Sequence, residues 1–181
     1  SISGSNTIQY KVLERGQKKL QVDLQPPLQM TKAVQNGEEL EITHDGNAHF
    51  IHLKKRQRKG KVYSVQVFYE GKPKVAKRPP WDGGITWKKD SNGLPFIASS
   101  CQGLGASVWW PCKDHMYDEV DSMKISVNVP KNLMNVSNGR LMKVDELDND
   151  TKTYHWNVLN PINNYGVNIN IGDYVHFGEK Y

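Results

Sequence analysis

The sequence holds two cysteines, no H-E-x-x-H motif and no long apolar run. Cys101 and Cys112 allow one disulfide at most, and their eleven-residue spacing fits no zinc ribbon. Both sit in an apolar stretch, where a cysteine behaves as a small hydrophobe and its thiol stays protonated. The redox compartment is therefore left open. No stretch approaches the roughly 20 apolar residues of a membrane-spanning helix. Ser1 to Gly4 show no basic segment leading into an apolar one, so no signal peptide is read. The first residue is not Met, and the native N-terminus is expected upstream.

Helical periodicity is also missing. No 11-residue window keeps an apolar 3.6-residue period free of Gly, Pro or β-branched runs, whereas period two recurs throughout. Leu20, Val22 and Leu24 form one stripe, with Gln21, Asp23 and Gln25 on the opposite face before Pro26-Pro27. Tyr63, Val65, Val67 and Tyr69 make a second. Met123, Ile125, Val127 and Val129 make a third, with Lys124, Ser126 and Asn128 wet. Tyr154, Trp156 and Val158 are a fourth; Val167, Ile169 and Ile171 are a fifth. Asn36-Gly37, Asp45-Gly46, Asn92-Gly93 and Asn138-Gly139 tolerate positive φ and are expected to turn tight hairpins. Arg15-Gly16 is expected to turn one between Tyr10-Lys11-Val12 and Leu20-Gln21-Val22. Residues 71–98 interrupt the rhythm and read as a long structured loop. With 181 residues, no repeat and no linker, the prediction is one all-β domain over residues 1–181. Its expected form is a saddle-like β-sandwich or a large curved mixed sheet.

The net charge of +5 comes from one region. Residues 54–78 hold 10 of the 24 basic residues against Glu70 alone, while elsewhere 14 basic residues face 18 acidic ones. With no aromatic residue among 54–61, the run lacks the stacking surfaces of a single-strand binder. It reads as one solvated patch, and no nucleic-acid partner is expected.

A catalyst is hard to assemble from these residues. His49 and His52, the closest histidines, are three apart in a strand-like run and point to opposite faces. His44, His115, His155 and His176 stand alone, so no metal site is predicted. Ser99 and Ser100 lack a G-x-S-x-G context. The acidic run Asp114, Asp118, Glu119, Asp121 lacks the ligand periodicity of a calcium loop. No catalytic residue is assigned. Trp81, Trp87 and Trp109 leave open a free-standing binding module for carbohydrate or protein.

Against this background the stretch Ser99 to Asp114, S-S-C-Q-G-L-G-A-S-V-W-W-P-C-K-D, is distinctive. Cys101-Gln102-Gly103-Leu104-Gly105-Ala106-Ser107, Trp109-Trp110-Pro111 and Lys113-Asp114-His115 resemble blocks of the aminopeptidase N and leukotriene hydrolase family of zinc metallopeptidases, in a bacterial branch. So do Arg78-Pro79-Pro80-Trp81-Asp82-Gly83-Gly84, Val136-Ser137-Asn138-Gly139-Arg140-Leu141 and Asn160-Pro161-Ile162-Asn163-Asn164-Tyr165-Gly166. The family run P-C-x-D-E-P is altered, since His115-Met116-Tyr117 follows Asp114. The resemblance implies the N-terminal, non-catalytic β domain of a zinc aminopeptidase, with its opening strand upstream of Ile2. It further implies that a catalytic domain and its zinc lie beyond Tyr181. The partners it implies are that catalytic domain and the peptide substrate. By the same resemblance, Gln102 falls at the position that lines the pocket for the substrate's free amine.

Overall fold

The computed structural model describes residues 1–14 and 18–179. Strands dominate it, and no α-helix occurs among the described residues. The first half forms a strongly curled six-stranded sheet, a half-barrel. Its strands are β1 (Ile2–Lys11), β2 (Lys19–Asp23), β3 (Gln29–Gln35), β4 (Glu38–Asp45), β5 (Ala48–His52) and β6 (Val62–Gly71), in the order β1-β6-β3-β4-β5-β2. The ten-rung ladder of β1 with β6 runs from Ile2–Gly71 to Lys11–Val62. The alternation read from the sequence sets the faces. Val65 and Val67 of β6 are fully buried and meet Val22, Ala33, Leu40, Ile51 and Leu53 in one core. Burying each such Val, Leu or Ile favours folding by about 1.5–3 kcal/mol.

One expectation changes here. β1 pairs with β6 and β2 with β5, so Tyr10–Val12 and Leu20–Val22 stand at opposite ends of the strand order and form no hairpin. The Arg15-Gly16 turn itself lies outside the described residues. Asn36-Gly37, with φ of 53° and 80°, does close the two-residue β3–β4 hairpin.

The second half begins where a loop was expected. From within residues 71–98, β7 (Gly84–Lys89) and β8 (Pro95–Ser100) form a hairpin joined by a turn over residues 90–94, which leaves residues 72–83 as the irregular part. Ile85 and Thr86 drive this pairing by their burial, although the adjoining Gly83-Gly84 and the Asn92-Gly93 turn obscure the alternation. β9 is Glu119–Val120, β10 Met123–Pro130, β11 Met134–Ser137, β12 Arg140–Leu147, β13 Thr151–Val158, β14 Ile162–Asn163 and β15 Ile169–Gly172. A four-stranded sheet, β11-β15-β8-β7, lies against a three-stranded one, β10-β13-β12, and β9 pairs with β14. Met123, Ile125 and Val127 of β10 pack on the Ile85, Val108, Trp109 and Ile169 core. Asn138-Gly139 is not a hairpin turn. It carries the chain from β11 in one sheet to β12 in the other, and the Asn138 side chain bridges the Gly166 carbonyl and the Asn168 amide.

Residues 106–114 join the two halves. Asp23 and Cys112 exchange backbone hydrogen bonds of 2.8 and 3.2 Å, and the Gln25 amide donates to the Ser107 carbonyl at 2.9 Å. Asn6 Nδ2 reaches the Pro111 carbonyl at 2.8 Å. Gln25, expected on the wet face, is only 5% exposed, because β2 ends at Asp23 and the chain then turns beneath this segment.

Candidate functional site around Gln102

The Gln102 loop is built from the inside outward. The Leu104 and Gly105 amides both donate to the Cys101 carbonyl, at 3.0 and 2.9 Å, which closes a tight turn. Gly103 and Gly105 have φ of 69° and 89°, a region that favours glycine. At Gly105 a side chain would also overlap the Asp114 carboxylate. That carboxylate accepts from the Ala106 amide at 3.1 Å and from the Ser107 amide and hydroxyl at 3.0 and 2.6 Å. It thereby caps the short 3-10 turn Ala106–Val108. From beneath, Gln25 Nε2 donates to the Leu104 carbonyl at 2.6 Å and to Ser107 Oγ at 3.0 Å, while Gln25 Oε1 accepts from Lys74 at 3.1 Å.

Two further segments meet this loop. Gly83 lies so close to the Gln102 carbonyl and the Leu104 side chain that an added Cβ would come within 2.8 and 2.9 Å of them. Asp82 holds that neighbouring segment in shape by accepting from the Lys77 and Arg78 amides at 2.5 and 2.6 Å. From the other side, the Tyr165 hydroxyl donates to Gln102 Oε1 at 2.6 Å. Tyr165 is held in its own 3-10 turn by the Asn163 side chain, and Asn164 Nδ2 anchors that turn to the Lys113 carbonyl at 2.9 Å. The resulting face presents Gln102 with Leu104, Tyr165, Met116, Tyr117 and Trp81, the last two 84% and 81% exposed. Exposed aromatic and aliphatic side chains around a fixed amide make a surface suited to another protein surface. The Gln102 oxygen keeps a second lone pair for a cationic donor.

The other residues singled out from the sequence lie elsewhere. Trp109 is in the core and Trp87 is half-buried, so of the three proposed platform tryptophans only Trp81 is open to solvent. Burial pushes the Cys101 thiol up to about 11 and raises Cys112 still further, so both stay protonated and neither is a nucleophile at neutral pH. The donors present do not fit a metal ion. His44 and His49 do meet across the β4–β5 ladder, their rings stacked at 5.5 Å, but His52 turns instead to Thr43. No third ligand joins the pair among the described residues. Burial lowers the pKa of His49.

One constellation escaped the sequence reading. Ser126 Oγ lies 2.9 Å from His155 Nδ1, His155 Nε2 lies 3.0 Å from Asp145, and Lys143 pairs with the same carboxylate at 2.6 Å. These residues come from three strands, and the cross-strand register that aligns Ser126 with His155 has no signal in the linear chain. We read the line as a clip joining β10, β13 and β12 across the face opposite the core.

With this geometry established, the fold has clear counterparts. The M1 zinc metallopeptidase of Deinococcus radiodurans matches it with a TM-score of 0.76 and 21% identity, over 94% of this chain and 37% of that one. A mutant of that enzyme bound to a Tyr-Ser-Ala substrate matches with a TM-score of 0.75, 21% identity and the same coverage. A two-domain M1 zinc metallopeptidase mutant bound to L-arginine gives 0.75 and 21%, over 94% of this chain and 38% of that one. The fold is that of part of an M1 zinc metallopeptidase. The chain spans under two fifths of the length of these M1 structures, and at this identity the likeness is one of fold. No family model matches the sequence, and no curated protein matches it.

Proposed function

We propose that this chain is the N-terminal, non-catalytic β domain of a zinc-dependent aminopeptidase. In this reading it packs on that enzyme's catalytic domain and lends Gln102 to the pocket for the substrate's free amine. The observation that carries the proposal is the exposed face around Gln102, whose amide is held by the Tyr165 hydroxyl at 2.6 Å. The M1 fold and the limited share of those chains that it spans support the same reading. In this reading zinc belongs to the remainder of the parent enzyme, a placement supported by the M1 zinc metallopeptidases that share the fold.

The opening strand upstream of Ile2 forms part of this proposal. β1 and β10 are both edge strands, and an open groove of about 650 Å³ lies between them, lined by Ser1–Asn6 on one side and Met123–Pro130 on the other. A strand added to the free edge of β1 would cover the apolar floor of that groove.

The decisive experiment is kinetic. In the parent enzyme, Gln102→Ala removes a hydrogen bond to a charged group, worth about 1.5–3 kcal/mol, and should lower kcat/KM on free-amine peptides by about 10- to 150-fold. N-acylated peptides should respond far less. Equal loss on both substrates, or unchanged kinetics with a lower Tm, would place Gln102 outside the amine pocket.

A further inference from the structure

The basic residues that the sequence gathers into one run are divided by the fold. β6 separates Lys61 from Lys72 by ten residues of extended strand, roughly 30 Å. The cluster Lys72, Lys74, Lys77 and Arg78 therefore lies at one end of the curled sheet and residues 54–61 at the other. At that second end the fold brings in cations that the linear run did not contain. The Val12 amide donates to the Lys61 carbonyl at 3.0 Å, the Gly60 amide donates to the Val12 carbonyl at 2.7 Å, and the Leu53 amide donates to the Lys18 carbonyl at 2.8 Å. Lys19 stands opposite His52 in the β2–β5 ladder, and Lys11 opposite Val62 in β1–β6.

Lys11, Lys18 and Lys19 thus join the six cations between Lys54 and Lys61, and all nine are exposed. Four carboxylates lie beside them among the described residues: Glu14, Glu38 paired with Lys54 at 3.3 Å, Glu39 paired with Lys32 at 3.6 Å, and Glu41 across from His52. Two aliphatic side chains project from the middle of this field. Leu13 is 72% exposed and Val62 57% exposed, and each adjoins a partner of the Val12–Lys61 hydrogen bond.

We propose that this end of the half-barrel is a docking surface for an anionic lipid bilayer, with Leu13 and Val62 entering the headgroup layer and the surrounding cations on the lipid phosphates. Charge complementarity identifies the partner. Cations near an anionic membrane surface add their attractions, and exposed aliphatic tips at the centre of the field gain by leaving water. A nucleic acid is the poorer match, because the aromatic rings here, Tyr10, Tyr63 and Phe50, are half-buried within strands. This inference stands apart from the Gln102 assignment, because it uses none of that site's residues.

The test is co-sedimentation of the chain with vesicles. It should partition onto phosphatidylcholine vesicles carrying about 30% phosphatidylglycerol and ignore pure phosphatidylcholine. Raising salt from about 50 to about 500 mM should release it, as screening shortens the reach of the cations. Each cation near the surface is worth about fivefold in partitioning. Replacing Lys55, Arg56, Arg58 and Lys59 together by Gln should therefore weaken binding by about 100-fold or more. Leu13→Ser should weaken it several-fold, and Lys72→Gln with Lys77→Gln at the far end should change it much less. All the substituted side chains are exposed, and an unchanged circular dichroism spectrum would confirm the fold in each variant. Failure to sediment with anionic vesicles at low salt would overturn the proposal. So would equal loss in the near-end and far-end variants, or salt-sensitive binding to a random single-stranded oligonucleotide tighter than to the vesicles.

Discussion

Replacing Asp114 should loosen the segment that carries Gln102 and destabilise the whole domain. Its carboxylate accepts three hydrogen bonds, two of them from backbone amides of residues that are fully or almost fully buried. Asp114→Ala leaves those donors without an acceptor in a turn that water reaches poorly. A hydrogen bond to a charged group contributes about 1.5–3 kcal/mol, and bonds sharing one acceptor do not add fully, so the expected loss is about 3–5 kcal/mol. For a domain of this size that corresponds to a fall in Tm of roughly 6–20 °C. Asp114→Asn keeps the shape but turns an NH₂ toward an N–H or O–H donor, and about 2–3 kcal/mol should be lost. Ser107→Ala deletes one of the three bonds. Combined with Asp114→Ala it should cost less than the two single losses together. Urea titration followed by circular dichroism measures each value, and an unchanged slope would show that the compactness of the end states is preserved. A loss below about 1 kcal/mol for Asp114→Ala would refute the reasoning, because a carboxylate so placed would then be contributing no more than a surface group.

Other consequences can be checked on the same material. Ellman's reagent at pH 8 should modify Cys101 and Cys112 far more slowly in the native chain than in urea, because burial keeps both thiols protonated. The native Cys101 thiol is raised from 9.0 to about 11, so the unfolded chain releases its proton first. The associated stability should be complete below pH 9 and disappear as pH rises toward 11, seen as a falling urea midpoint. Gly84→Ala should destabilise by about 2–4 kcal/mol in thermal melts, since φ is +130° and the new Cβ would lie 2.6 Å from the Lys74 carbonyl oxygen. Under the proposed reading, Tyr165→Phe in the parent enzyme should lower kcat/KM on free-amine peptides by about 3- to 10-fold, and have little further effect once Gln102 is Ala. An equal effect in both backgrounds would separate Tyr165 from Gln102.

Most strands were legible because their burial is one-sided. In β10, Met123, Ile125, Val127 and Val129 alternate with exposed Lys124, Ser126 and Asn128, as the residues themselves indicate. Legibility fails where burial is two-sided or long-range. β7 buries Gly84, Ile85 and Thr86 in succession, so it shows no period two and passed for loop. Gln25 has a polar side chain in a polar position of the pattern, yet its partners, Leu104 and Ser107, lie about 80 residues away. The Tyr165–Gln102 contact spans 63 residues and the Ser126–His155–Asp145 line depends on inter-strand register, neither of which leaves a local trace. For the proposed site, resemblance offered Gln102, and the residues themselves offered the glycines that let its loop turn.

The joint formed by residues 106–114 also bears on the order in which this domain assembles. Its bonds to Asn6, Asp23 and Gln25 close intervals of 105, 91 and 82 residues. Contacts of such separation carry the greatest loop-closure entropy and are the last to be rewarded as a chain organises. The half-barrel and the second pair of sheets can each gather their local hairpins first, whereas the Gln102 loop gains the Gln25 hydrogen bonds beneath it only when the two halves dock. Mutations in the joint should then accelerate unfolding more than they slow folding. A half-assembled chain would have its hairpins in place while the buried side chain of Gln25 still lacked its partners Leu104 and Ser107, so the joint closes late in assembly.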